Sequence, residues 1–170
     1  MITRSLADNT GRVPVAESAA IMEYIMAKHD GESLAVPPSA PAYPDYVYWF
    51  HFANGTLQPA MGRSMSLGRL NLAADNPTLA WVNNRRDHIL NLVEKRLGEA
   101  DYLAGDAFTA ADIVTVFSLT TMRIFLPLDL SPYPNILSYL QRVGARPAYQ
   151  RAMEKGDPGM KPLLDGPVPV

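Results

Sequence analysis

Two constellations in this 170-residue chain have residue types and spacing suited to chemistry. The first is Glu17-Ser18, a carboxylate and a hydroxyl where the strand-like run RVPVA gives way to a helical pattern carried by Ala20, Ile21, Tyr24 and Ile25. An acid and a serine are favoured in the first turn of any helix, so the pair taken alone is an ordinary helix start. The second is Thr109 and Asp112, three apart ahead of an apolar run. The Thr hydroxyl can accept from the third helical N–H while the Asp carboxylate reaches back to the N–H at the cap, a capping box worth about 1 kcal/mol. That structural role explains both residues completely.

Other reactive types are absent or dispersed. The chain has no cysteine, which excludes disulfides, thiolate metal sites and a catalytic thiol in this polypeptide. His29, His51 and His88 are far apart and lack metal-ligand spacing, so no metal site is expected. Tyr46, Trp49, His51 and Phe52 could line a pocket for a small molecule, although aromatic residues on a long helix more often serve core or interface. His51, Asn54 and Gln58 form a polar stripe that faces either a cleft or solvent, and Arg85, Arg86, Glu94 and Lys95 read as solvated. Tyr102 and Tyr133 carry hydroxyls that no pattern selects.

A formal net charge of −2, with acids and bases interspersed, gives no reason to expect nucleic acid or an anionic membrane as partner. No run approaches the roughly 20 apolar residues of a membrane span, and the N-terminus lacks a signal-peptide core, so a soluble, cytoplasmic protein is the expectation.

The elements that must position these groups can be read from punctuation. ITRSLA and RVPVA form a hairpin around DNTG, and the helix after Glu17 stops near Gly31. SLAVPPSAPAYP, with four prolines, is a linker. An aromatic helix from Tyr46 is expected to kink or break at Asn54-Gly55 and Pro59. Asn76-Pro77 starts a helix with Val82, Ile89, Val93 and Leu97 inward, and the helix after Thr109 is apolar enough to be central. Two closing helices begin at Pro134 and Pro147. The expected organisation is a hairpin-plus-helix segment at 1–31, a linker at 32–44, a bundle of five or six helices at 45–156 and a Pro/Gly-rich tail at 157–170.

These pieces, in this order, resemble the glutathione S-transferase superfamily. ESAAI at Glu17–Ile21 resembles its E/Q-S-x-A-I strand-to-helix motif, LAGDAFTAADI at Leu103–Ile113 its buried capping-box helix, and YPNILSYLQRVGARPAYQRA its closing helices; YWFHFANGTLQPAM looks like the aromatic fourth helix of bacterial members. The resemblance implies a mainly α fold: the all-helical C-terminal bundle of that family preceded by a remnant, hairpin plus helix, of its thioredoxin-like domain. It implies a cytosolic, homodimeric detoxification enzyme that joins glutathione, as co-substrate and without a metal, to an electrophilic small molecule. In the family the Glu-Ser pair holds the γ-glutamyl end of glutathione. A carboxylate suits its ammonium, and a hydroxyl with free helix N–H groups suits its α-carboxylate, so the family context favours glutathione binding by Glu17 and Ser18.

The resemblance starts late. A β-α-β unit takes about 30 residues, and only sixteen precede Glu17. ITRSLA and RVPVA therefore correspond to the third and fourth strands. The position that carries the family's thiol-activating Tyr, Ser or Cys is not among these residues, and Arg4 stands where the family's cis-proline would be. Two readings follow. Either the chain is a truncated version of a transferase whose thiol activator lies upstream or comes from another group, or it is a non-catalytic binding or dimerisation module, its exposed hairpin edge and the apolar side of Ile21 and Ile25 covered by a partner.

Overall fold

The computed structural model describes residues 5–8, 11–29 and 34–167. Strands β1 (Ser5–Asp8) and β2 (Gly11–Pro14) form a two-stranded antiparallel sheet, with Ser5 opposite Pro14 and Asp8 opposite Gly11. Part of the expected turn, the stop at Gly31 and the residue at Arg4 lie outside the described residues. Helix α1 (Ser18–Lys28) follows, and Ala19, Met22 and Met26 on one side of it pack against the bundle core.

The bundle holds six α-helices. Helix α2 (Tyr43–Phe52) continues with no intervening loop into a π-helical turn, Ala53–Leu57, and then α3 (Gln58–Gly68). The expected interruption at Asn54-Gly55 and Pro59 thus takes the form of a widened helical turn. Pro59 falls in the first turn of α3 and has no N–H to donate, while the Gln58 N–H reaches back five residues to the Ala53 carbonyl, the π pattern.

Helix α4 (Pro77–Glu99) begins where the sequence places it. The Asn76 side chain accepts from Thr78 N–H at 3.0 Å and Leu79 N–H at 3.3 Å. Val82, Ile89, Val93 and Leu97 are buried as the stripe requires. Helix α5 (Ala110–Leu119) crosses behind α2, its first N–H held by the Leu34 carbonyl of the preceding linker at 2.8 Å. It is buried except along Ile113 and Phe117, which look into an apolar groove of about 310 Å³ shared with the last helix. A short 3-10 turn (Thr121–Ile124), α6 (Pro134–Gly144) and α7 (Pro147–Gly156) complete the bundle.

Two charged residues do work that spacing alone does not reveal. Glu94, expected to be solvated, caps α6: its carboxylate accepts from Asn135 N–H and Ile136 N–H, both at 2.9 Å. The last described segment is fastened to the bundle by Arg123, which is 1% exposed and donates to main-chain carbonyls of Leu128, Asp165, Gly166 and Pro167.

Candidate functional site

The start of α1 is an unusual helix terminus. No side chain caps it, and its first intrahelical bond runs from Ile21 N–H to the Glu17 carbonyl at 2.9 Å. The N–H groups of Ser18, Ala19 and Ala20 precede that bond and so have no partner inside the helix. Glu17 is the one non-glycine with positive φ among the described residues, at 72°, a conformation that costs an L-residue on the order of 1–3 kcal/mol. Glu17 and Ser18 are both exposed. Here, then, an exposed carboxylate and an exposed hydroxyl stand beside helix N–H groups that have no intrahelical partner, a combination that can pair an ammonium with the first and an anion with the others.

Ser18 is not alone. Its Oγ accepts a hydrogen bond from the Asn54 Nδ2 group at 3.3 Å, across 36 residues of chain. Asn54 lies in the π-turn, so the polar stripe of the sequence is sorted by the fold: Asn54 turns to α1, while His51 is exposed on a different face. Tyr46 also lies on the α1 side. Burial pushes its phenol above the usual range, reinforced by the nearby charge of Glu23 on α1 and by Tyr43, so its hydroxyl stays protonated.

The four residues expected to line an electrophile pocket are not brought together. Tyr46 and Trp49, 8% and 6% exposed, are packed in the core, Tyr46 stacked on Phe50 and Trp49 edge-on to Phe52. His51 and the rim of Phe52 open on a shallow concavity between α2 and α4 that also includes Tyr48, Thr56, Arg85 and His88. On an α-helix two residues subtend about 200°, which puts Tyr48 and Phe52 across α2 from Tyr46 and Phe50. The helix has aromatic groups on nearly every side because it packs on α5 and also faces α4 across the concavity; aromatic type alone does not say which side meets a ligand.

The remaining candidates have structural partners. Asp112, fully buried, accepts from Thr109 N–H at 2.8 Å, Thr109 Oγ1 at 3.1 Å, Leu103 N–H at 3.0 Å and Tyr139 OH at 3.1 Å, and Thr109 and Asp112 form a reciprocal capping box. Tyr102 packs edge-on against Phe108 and Tyr139, and Tyr133 is buried, its phenol raised by burial and then by Asp87. Arg86 is paired with Asp87 at 2.7 Å, whereas Arg85 and His88 help form the α2–α4 concavity. Among the described residues no cluster of three or more metal-ligating side chains occurs, and no helix is long and apolar enough to cross a membrane. Sequence reasoning missed the contact between Asn54 and Ser18; its only signal was an Asn-Gly pair inside a helical run, a local choice that favours no helix.

Comparison with known proteins identifies the family of the helical bundle. The family model described as glutathione S-transferase, C-terminal domain, matches residues 49–147. A glutathione S-transferase domain-containing protein of Dictyostelium discoideum is 24% identical over 92% of the chain and 62% of its own length. Glutathione S-transferase 1 of Manduca sexta is 27% identical over 88% of the chain and 68% of its own length. The crystal structure of a glutathione S-transferase from Actinobacillus pleuropneumoniae superposes with a TM-score of 0.72 at 26% identity, covering 89% of this chain and 72% of that one. The chain therefore spans about two thirds of the length of these relatives. The family model covers more than half of the chain, through the capping-box helix and most of the bundle: this chain belongs to the glutathione S-transferase superfamily.

Proposed function

We propose that this chain forms the γ-glutamyl half of a glutathione site and the helical bundle of a transferase that joins the glutathione thiolate to an electrophilic small molecule in the cytoplasm. The observation that carries the reading is the start of α1, where an exposed Glu17 in a strained conformation stands beside Ser18 and uncapped helix N–H groups. The Glu17 carboxylate takes the γ-glutamyl ammonium. Ser18 Oγ–H and the first-turn N–H groups take the α-carboxylate, aided by the positive end of the helix dipole. Transfer itself requires a donor or positive field at the sulfur to lower the thiol pKa, a role this reading assigns to no residue of the chain.

Calorimetric titration of the whole chain with glutathione tests the assignment. Hydrogen bonds to charged groups are worth about 1.5–3 kcal/mol each, so Glu17→Ala combined with Ser18→Ala is expected to weaken binding about 100-fold or more. Equal affinity in the double variant would refute the role of the pair. A conjugation assay with a general electrophile reports separately on catalysis.

A second copy of the chain is the proposed partner. Along α4, Trp81, Arg85, His88 and Leu92 recur every three or four residues on one outward face, with Trp81 59% and Leu92 37% exposed, and Tyr48 of α2 is 54% exposed. Large apolar groups left in water on two helices, Trp81, Leu92 and Tyr48, interleaved with Arg85 and His88, are suited to a twofold interface. Introducing charge there, Trp81→Glu with Leu92→Glu, is expected to convert a dimer to an 18.7 kDa monomer by light scattering. A wild-type monomer at tens of micromolar would overturn the dimer and leave the glutathione site standing.

A further inference from the structure

We propose that Asn54 is a positioning residue of the glutathione site, fixing the direction in which the Ser18 hydroxyl donates. The inference rests on the γ-glutamyl reading of Glu17 and Ser18 and extends that site from α1 into the helical bundle. A serine hydroxyl has one proton and can turn it in several directions. In this structure Asn54 Nδ2 donates to Ser18 Oγ at 3.3 Å, which occupies an acceptor position and leaves the hydroxyl proton to be given elsewhere. The free N–H groups of the first turn of α1 already favour an anion at that end, so a proton turned toward the same anion completes its donor set.

The π-turn supplies the placement. Asn54 stands in the second position of the widened turn Ala53–Leu57, between the end of α2 and Pro59 in the first turn of α3. Such turns carry extra backbone per revolution and redirect side chains, and they occur often at functional sites. Asn-Gly is a poor choice for a helix interior. A Cβ added at Gly55 would meet nothing within 4 Å, so close packing does not demand the small residue there. A locally unfavourable pair with no packing reason, delivering an amide to a residue of the site, is what a functional constraint leaves behind.

The chemistry separates two substitutions, one that truncates the side chain and one that keeps its shape. Asn54→Ala removes the donor and frees the hydroxyl to rotate. Asn54→Asp keeps the shape but reverses the bond: the carboxylate accepts the Ser18 proton and adds negative charge beside an anion site. Titration with glutathione is therefore expected to show about five-fold weaker binding for Asn54→Ala and several-fold weaker again for Asn54→Asp. In a Ser18→Ala background the further change Asn54→Ala is expected to have no effect, since both act through one hydroxyl. Cysteinylglycine, which lacks the γ-glutamyl group, should bind the wild type and both Asn54 variants alike.

Affinities for glutathione within two-fold of wild type in both Asn54 variants would overturn the proposal while leaving the γ-glutamyl reading intact. Equal losses in Asn54→Ala and Asn54→Asp would overturn it too, because a merely structural role does not sense the sign of the side chain. If wild type binds no glutathione, the γ-glutamyl reading fails and the positioning role fails with it. Amide hydrogen exchange then decides whether the contact itself exists: Asn54→Ala should speed exchange in α1 about five-fold relative to α7, and unchanged exchange would remove the contact as well.

Discussion

Replacing Arg123 with alanine is expected to lower the unfolding free energy by about 3–5 kcal/mol, measured as a shift of the urea midpoint of the whole chain. The guanidinium is 1% exposed and its partners are main-chain oxygens: Leu128 at 3.0 Å from Nε, Asp165 at 2.8 Å, and Gly166 and Pro167 at 2.6 and 3.1 Å. Burial pulls its pKa down, while Asp129 and Asp165 oppose that pull, and an arginine remains charged throughout the accessible range. Four carbonyls are thus engaged by one planar donor fork, and removing the fork leaves a cavity and takes this donor from the carbonyls of Leu128, Asp165 and Pro167, while Gly166 keeps the Leu130 N–H. Against a typical total stability of about 5–15 kcal/mol this is a large fraction.

The same clamp ties the segment before Pro167 to the turn after α5. Leu130 N–H also donates to the Gly166 carbonyl at 2.9 Å, and a Cβ on Gly166 would come within 2.7 Å of Ser131 Oγ and 3.0 Å of its backbone nitrogen. Arg123→Lys keeps the charge but not the fork, so it should recover less than half of the loss. Limited proteolysis should cut within residues 157–167 of Arg123→Ala long before the bundle. A midpoint unchanged within 1 kcal/mol, or a tail as resistant as in wild type, would count against the clamp.

How much of this was legible beforehand depends on the range of the interaction. Asn76 with Pro77, Thr109 with Asp112, and the prolines at 134 and 147 place helix starts because a cap is settled within three or four residues. The inward stripe of α4 follows from period alone. Apart from the nearby Leu128 carbonyl on Arg123, the partners of Arg123, Glu94 and Asn54 lie 36 to 44 residues away, and nothing in the local pattern distinguishes a charge that solvates a surface from one that closes a loop. Glu94 therefore passed for a surface acid. The aromatic run of α2 failed in another way: its composition says that the helix is surrounded, not which neighbour lies on which side, so Tyr46 and Trp49 went to the core. The Glu17-Ser18 pair was visible as a helix start and, by resemblance, as a candidate ligand site. Its positive φ was not visible, because glutamate carries no preference for that conformation.

Asp112 should be the most costly acid to remove. Alanine there leaves the Leu103 and Thr109 N–H groups and the Tyr139 hydroxyl buried without their acceptor, an expected loss of about 3–5 kcal/mol. Asparagine fits the space but turns an NH2 group toward two of the four donors, since each carboxylate oxygen accepts from two, so it should cost about half as much. The charge state gives the prediction a pH signature. Burial raises the Asp112 pKa above 3.8, outweighing the hydrogen bonds from Leu103, Thr109 and Tyr139 that lower it. Tyr139, itself raised well above 10 by burial and by the Asp112 charge, remains a hydroxyl donor throughout. Since the folded pKa exceeds the unfolded one, the native state binds the extra proton between them, and the contribution of this group grows as pH falls from neutrality toward 3.8. The gap in stability between wild type and Asp112→Asn is therefore expected to be wider near pH 4.5 than at pH 7, by denaturant titration at both. A gap that narrows on acidification would show that the four donors, rather than burial, set the charge of this carboxylate.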